Sequence, residues 1–329
     1  MKILFFSSDQ YVEDFFNAAN KNLRYELYFS KVRLSKDTAS IAKGYSIVSC
    51  FIYDELDAPT LKILSEAGVK LVALRSAGYN NVDVKAAAEL NITIAYVPVY
   101  SPYSVAEHAT ALILSLNRKI HKAYARVRDG NFSLQNFLGF DLHGATVGVI
   151  GTGKIGTAFA HIMSGFGSKI LGYDKVTNEE SLKLGVKYVP LNELLSQSEI
   201  ISLHCPLMPE THNIINTDAI NLMRQGVMLI NTSRGGLVDT KAVIKGLKSG
   251  KIGYLGLDVY EAEQSLFFSD LSERVINDDM FSRLQTFPNV LITSHQGFLT
   301  KQACIGIADI TFQNITSFIK KEGKLYSCF

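Results

Sequence analysis

The chain has 329 residues, 47% of them hydrophobic, which is too long for one small domain and enough to bury two sizeable cores. With 33 basic against 31 acidic residues its formal net charge is +2, a near-balance that gives no reason to expect nucleic acid as a partner. Cys50, Cys205, Cys304 and Cys328 are scattered without C-x-x-C spacing, so they point to neither a metal site nor a disulfide framework and fit a reducing compartment. No apolar run approaches the roughly 18 residues needed to cross a bilayer. The opening MKILFF stops at Ser7-Ser8-Asp9, which leaves no room for a signal-peptide core. A cytoplasmic protein with no membrane partner is expected.

In chain order, Lys2–Phe6 reads as a buried strand and Tyr11–Asn22 as a helix. Tyr25–Phe29 and Ile47–Tyr53 read as the next two strands. Asp57-Ala58-Pro59 starts a helix through Leu64, since proline suits a first helical turn. Val69–Leu74 is another strand, and the alternation makes this part a parallel-sheet domain. Arg75–Asp83 follows, rich in small residues that leave backbone N–H groups uncovered just past a strand's carboxyl end. Open α/β sheets bind ligands there, and such a loop can hold a small anion. The same residues read equally well as a plain turn at Gly78 with Asp83 capping the next helix. A strand at Thr93–Val97 runs into Pro98–Pro102, and Val105–Arg128 then reads as one long helix at a domain junction. His108 within it reads as a packed or hydrogen-bonded side chain. Arg118, Lys119, Lys122, Arg126 and Arg128 read as a solvated face.

Thr146–Asp174 carries the strongest signal. An apolar run, Val147–Ile150, breaks at Gly151-Thr152-Gly153-Lys154-Ile155-Gly156, continues as an apolar-periodic helix to about Phe166, and becomes a strand at Lys169–Tyr173. This is G-x-G-x-x-G inside a βαβ unit. Gly151 permits the tight turn, Gly153 lets a pyrophosphate approach the backbone, and Gly156 lets the helix lie close on the sheet. The helix N-terminus offers that pyrophosphate unpaired N–H groups and partial positive charge. Asp174 falls 18 residues after Gly156 at a strand end, where its carboxylate would accept from both ribose hydroxyls and repel a 2′-phosphate. The expected cofactor is therefore NAD rather than NADP.

Further strands are expected at Val186–Val189, Ile200–Leu203, Val227–Asn231, Gly253–Val259 and Val290–Thr293, with helices such as Leu191–Gln197 and Thr217–Met223 between them. From Thr300 the chain turns helical and is expected to cross back to the first domain. The expected fold is α/β, with two Rossmann-like or flavodoxin-like parallel-sheet domains and a cleft between them. Residues 1–99 plus 300–329 form the substrate domain and 100–299 the dinucleotide domain.

Three charged groups stand near successive strand ends. Arg234, flanked by small residues, is free to reach a ligand, and its planar fork matches a carboxylate. Glu263 follows Asp258-Val259-Tyr260-Glu261, and His295 follows Leu291–Ser294. A histidine there is a good general acid/base, and a nearby carboxylate favours its charged form. Singly, each residue could serve as an ion pair, a cap or a strand-end side chain; together they point to a reaction centre.

These blocks resemble the D-2-hydroxyacid dehydrogenase family over essentially the whole chain. The resemblance is carried by Leu74–Asp83, Ala106-Glu107-His108, the glycine fingerprint, Leu203–Leu207, Asn231–Gly235, Asp258–Glu261 and Ser294-His295-Gln296. Arg126–Leu134 and the phenylalanines after Glu263 are more similar to enzymes acting on lactate than to those acting on glycerate or formate. The resemblance implies an NAD-dependent reduction of pyruvate. His295 would be the proton donor, held by Glu263, and Arg234 would grip the carboxylate and carbonyl. Arg75, Ser76, Ala77 and Gly78, with Tyr100, would bind the substrate. Gly151, Gly153, Lys154, Ile155, Gly156, Asp174, Cys205, Pro206, Thr232, Ser233 and Asp258 would contact NAD, Asp258 near the nicotinamide. The implied partner is a small 2-oxo or 2-hydroxy acid, and the implied assembly a homodimer or tetramer. Thr211 stands where many relatives carry asparagine. Two other readings stay open: an enzyme for bulkier 2-oxo acids such as 2-hydroxyisocaproate's, and an NAD-sensing corepressor.

Overall fold

The computed structural model describes residues 1–268 and 270–329. The chain forms two compact units, Met1–Ser101 with Leu299–Phe329 and, contiguous in sequence, Pro102–Phe298. No helix among the described residues is long and apolar enough to cross a membrane.

The first unit holds five parallel strands: β1 (Lys2–Phe5), β2 (Glu26–Phe29), β3 (Ile47–Cys50), β4 (Leu71–Leu74) and β5 (Thr93–Ala95). Their order is β2-β1-β3-β4-β5, so the direction of winding switches beside β1, as in flavodoxin-like sheets. β3 and β4 are buried at every position, as near-continuous apolar strands in a parallel sheet must be. β3 stops at Cys50, short of the expected Tyr53. The buried carboxylate of Asp54 accepts from Phe51 N at 2.6 Å, Leu34 N at 2.7 Å and Ser7 Oγ at 2.6 Å, and so bends the chain out of the sheet. The next helix runs Ala58–Glu66, with Asp57 accepting from Thr60 N as its cap. Asp83 caps Val84–Glu89 in the same way, through Ala86 N. The long helix Lys301–Lys320 returns to this unit, where Phe312 packs on Phe16 and Tyr25 at ring separations of 5.4 and 6.0 Å.

The second unit holds a seven-stranded parallel sheet. Its strands are β6 (Thr146–Ile150), β7 (Lys169–Tyr173), β8 (Lys187–Tyr188), β9 (Ile200–Leu203), β10 (Val227–Asn231), β11 (Ile252–Leu257) and β12 (Val290–Ile292). The order β12-β11-β10-β9-β6-β7-β8 reverses at β6/β9, the switch point of a doubly wound dinucleotide fold. Both parallel-sheet domains of the expected α/β class are therefore present. The expected single helix over Val105–Arg128 is two helices, Pro102–Arg118 and Ile120–Arg128. Lys119 breaks them with φ +50°. Neither glycine nor proline marks the break; tertiary bonds impose it. Asn117 both donates to Phe140 O at 2.7 Å and accepts from Phe140 N at 2.8 Å, and Lys119 Nζ donates to Asn136 O at 2.6 Å. Lys119 and Arg126, expected on a solvated face, are half-buried and bonded to main-chain carbonyls.

Candidate active site

The turn after β6 assigns a distinct role to each fingerprint glycine. Gly151 has φ +94°, and a Cβ there would lie 2.4 Å from Cys205 N, so the turn needs both its handedness and its lack of a side chain. A Cβ on Gly156 would lie 1.9 Å from Gly151 O, so helix Lys154–Gly165 meets the turn backbone to backbone. A Cβ on Gly153 would meet no atom of the described residues within 4 Å. The space over Gly153 thus lies open directly above a helix start that has no side-chain cap. Lys154 and Ile155 are the first residues of that helix. Asp174, half-buried at the end of β7, accepts from Thr152 N at 2.6 Å, Thr152 Oγ1 at 3.2 Å and Lys175 N at 2.7 Å. That uses about three of a carboxylate's four acceptor positions.

The loops after β9 and β10 form the next part of the site. Cys205 is buried, and that burial pushes its thiol up to about 11, so it serves as packing rather than as a nucleophile. Pro206 is exposed, and its carbonyl accepts from Thr211 Oγ1 at 2.6 Å. Thr211 also accepts from Met208 N, so its side chain is spent on its own loop. Ser233 Oγ donates to Cys205 O at 2.6 Å and ties the two loops together. Thr232 Oγ1 is buried with no hydrogen-bond partner among the described residues, a polar atom left for something they do not supply.

Arg234 follows in extended backbone, its carbonyl held by Asn231 Nδ2 at 2.8 Å and its Nη1 on Ser233 O at 2.7 Å. A Cβ on Gly235 would lie 2.1 Å from the Tyr260 carbonyl carbon, so the Arg234 loop is pressed against the segment leading to Glu263. Glu263 opens a short helical turn. Its Oε2 accepts from Tyr260 N at 2.9 Å, and its Oε1 lies 3.0 Å from His295 Nδ1. The Glu263 and His295 side chains are only 13% and 15% exposed. His295 takes φ +53°, an uncommon conformation for a residue with a side chain. Asp258 is 1% exposed and accepts from Thr293 Oγ1, Gln296 N and Gly297 N at 2.6, 2.9 and 2.8 Å, with His108 Nε2 at 3.2 Å. Asp258, expected as a cofactor contact, thus spends its carboxylate within the protein, and His108 is hydrogen-bonded in the way its sequence suggested.

In the first unit, Ser76 Oγ donates to Gly78 O at 2.8 Å, and Ala77 and Gly78 are half-buried. The Arg75 side chain, 3% exposed, runs inward, with donors on Phe6 O at 2.7 Å, Ser7 O at 3.0 Å and Ser49 Oγ at 3.2 Å. Its backbone N–H donates to Cys50 O at 2.9 Å, so Arg75, expected to bind the substrate, anchors the start of the loop to the sheet rather than offering a ligand its backbone donor. Tyr100 is half-buried, and its carbonyl faces Gly306, where a Cβ would be 3.1 Å away. The Arg75–Asp54 cluster is not legible in the sequence, because Asp54 stands between an apolar run and Glu55, where a carboxylate reads as the start of a solvated turn.

Comparison with known proteins bears on this geometry. The family profile for the D-isomer specific 2-hydroxyacid dehydrogenase NAD binding domain matches residues 110–297. The chain is 48% identical over 322 residues to the D-lactate dehydrogenase of Escherichia coli (strain K12), covering 98% of both. Among solved structures, the apo D-lactate dehydrogenase from Escherichia coli matches with a TM-score of 0.92 and 44% identity over 100% of both chains. D-lactate dehydrogenase with NAD+ from Lactobacillus jensenii matches at 0.84 and 31%, again over 100% of both. The open space over Gly153, the uncapped helix start and the orphaned Thr232 hydroxyl fit a dinucleotide. Doubly wound sheet, dinucleotide turn and full-length similarity agree: the chain belongs to the D-isomer specific 2-hydroxyacid dehydrogenases and is an NAD-dependent oxidoreductase.

Proposed function

We propose that this enzyme reduces pyruvate to D-lactate with NADH. The observation that carries the reading is the Glu263–His295 pair, 3.0 Å apart and largely withdrawn from water, on loops packed against the Arg234 loop. Bound NADH supplies the hydride. As negative charge grows on the carbonyl oxygen, His295 delivers a proton from Nε2, its Nδ1 being held by Glu263. Proton transfer of this kind contributes roughly 10²–10⁴ in rate. Arg234 fixes the substrate carboxylate and polarises the carbonyl, so orientation and electrostatics act together. Backbone N–H groups at Ser76, Ala77 and Gly78, with Tyr100, contribute to binding the acid, and Arg75 anchors their loop to the sheet through Cys50 O. Gly151, Gly153, Lys154, Ile155 and Gly156 hold the pyrophosphate and Asp174 the adenosine ribose, while Cys205, Pro206, Thr232, Ser233 and Asp258 border the rest of the dinucleotide.

The test is a kcat/KM comparison of pyruvate with branched 2-oxo acids, using NADH. The expected result is preference for pyruvate. Preference for the branched acids would assign a bulkier substrate, and no turnover with any 2-oxo acid would leave an NAD-sensing binding protein. A cytoplasmic location fits the four free cysteines. A homodimer or tetramer is supported by the exposed Ile120, Tyr124, Val127, Phe132, Leu134 and Leu138, and a monomeric mass by light scattering would refute it.

A further inference from the structure

We infer that His108 is a positioning residue for His295, acting through Asp258 and Thr293. The inference rests on the assignment of His295 as the proton donor. His108 belongs to helix Pro102–Arg118, far from the reaction centre in sequence. Its Nε2 lies 3.0 Å from Thr293 Oγ1 and 3.2 Å from Asp258 Oδ1. Proton counting sets the direction of these bonds. The Thr293 hydroxyl has one proton, and its 2.6 Å contact with Asp258 Oδ1 spends it. Only lone pairs then remain to face His108, so Nε2 carries a hydrogen and donates to both oxygens.

What His108 steadies is a residue that grips three consecutive amides. Asp258 O accepts from His295 N at 2.7 Å, Oδ1 from Gln296 N at 2.9 Å and Oδ2 from Gly297 N at 2.8 Å. The first of these residues is the one held at φ +53°, a conformation that costs on the order of 1–2 kcal/mol unless its surroundings impose it. Asp258 therefore sets both the backbone and the outlook of the proposed proton donor. Its carboxylate has almost no access to water, and a buried carboxylate needs its donors. Burial alone would raise its pKa. The hydrogen bond and charge of His108, with Thr293 and Gln296, outweigh that and hold the carboxyl below its usual range. The cluster has no slack: a Cβ on Gly297 would sit 3.0 Å from Asp258 Oδ2 and 3.5 Å from His108 Cδ2.

Without the His108 N–H, Asp258 loses a donor and can rotate or take up a proton. The 296 and 297 amides loosen, and His295 shifts on Glu263. Displacing a reacting group by about 1 Å can cost about 100-fold in rate. The experiment compares wild type, His108→Leu, His108→Gln, Gly297→Ala and His295→Gln in steady-state NADH oxidation with the best 2-oxo acid, alongside the NADH Kd by fluorescence. The expected result is that His108→Leu lowers kcat by about 10- to 100-fold with the NADH Kd changed less than about threefold. His108→Gln, which restores an N–H at similar reach, should recover kcat to within about threefold of wild type. Wild-type kcat in a folded His108→Leu, or equal loss in Leu and Gln variants, would overturn the inference. If His108→Leu does not fold, Gly297→Ala decides: a kcat loss with NADH binding kept supports it, and wild-type kcat overturns it. If His295→Gln keeps wild-type turnover, the assignment of His295 itself falls, whatever the His108 variants do.

Discussion

Two alanine substitutions three residues apart should fail in opposite ways. Gly153 sits at φ −66°, ψ −167°, extended backbone that alanine adopts freely, with no atom of the described residues within 4 Å of a new Cβ. Gly153→Ala should leave the apo protein as stable as wild type, or firmer by about 0.4–1 kcal/mol through its less flexible unfolded chain. The same methyl group would stand where a pyrophosphate meets the backbone. An overpacking cost of about 1–3 kcal/mol there corresponds to roughly 5- to 150-fold weaker NADH binding. Gly156→Ala differs in kind. Its Cβ would fall 1.9 Å from Gly151 O, a main-chain atom that cannot rotate away, so the helix must leave the turn. The loss should reach about 3 kcal/mol or more in the protein without cofactor. Denaturant unfolding of the apo forms and NADH fluorescence titrations measure both. Wild-type NADH affinity in Gly153→Ala would refute the placement of the pyrophosphate, and wild-type stability in Gly156→Ala would refute the close approach.

Arg234→Lys should raise the KM for the 2-oxo acid at least about tenfold while leaving the NADH Kd near wild type, because an ammonium cannot form the two-pronged contact; an unchanged KM would remove Arg234 from the substrate site. Asp174→Ala should shift cofactor preference towards NADPH by about tenfold or more, since a 2′-phosphate no longer meets a carboxylate. It should also weaken NADH binding, because Thr152 N loses its acceptor, and an unchanged NADH/NADPH ratio would place the ribose elsewhere. His204, against Phe159 and hydrogen-bonded to Ser202 Oγ, is pushed down from 6.5 to about 3 by desolvation. Its unfolded form takes a proton below 6.5 and its folded form does not, so stability is full above that pH and falls as pH drops towards 3. At pH 5 the loss is about 2 kcal/mol at most, less to the extent that water reaches its half-buried ring. His204→Gln should flatten this slope in urea titrations at pH 7.5 and 5, and an unchanged slope would assign the acid sensitivity to other groups.

The dinucleotide half was legible because its signals are local. Lys169–Tyr173, Ile200–Leu203 and Val227–Asn231 are apolar runs bounded by polar turns, and the structure has strands over those same residues. The glycine turn carries its backbone demands in three letters. The kink at Lys119 was not legible, because helix propensity there is good and the break depends on Asn117 reaching Phe140. The direction of Arg75 was hidden for a similar reason: a strand-end arginine beside small residues looks like a ligand binder, and only the sheet's interior supplies the carbonyls that draw it inward. Glu263 and His295 were named from their places after strands, but their pairing spans 32 residues and the conformation of His295 depends on Asp258.

The return of helix Lys301–Lys320 to the first unit has a consequence for biosynthesis. A nascent chain that has emerged only as far as Ser101 possesses all five strands of that sheet but lacks Phe312, so Phe16 and Tyr25 remain uncovered. At roughly 5–20 residues per second, the intervening stretch of about 200 residues keeps that face bare for about 10–40 s. The second unit, being unbroken, can fold while the ribosome is still working. Emergence of helix Lys301–Lys320, not of the amino-terminal strands, is thus the event that seals the first unit, and a premature stop codon just before Lys301 would release a chain with one finished half and one aggregation-prone half.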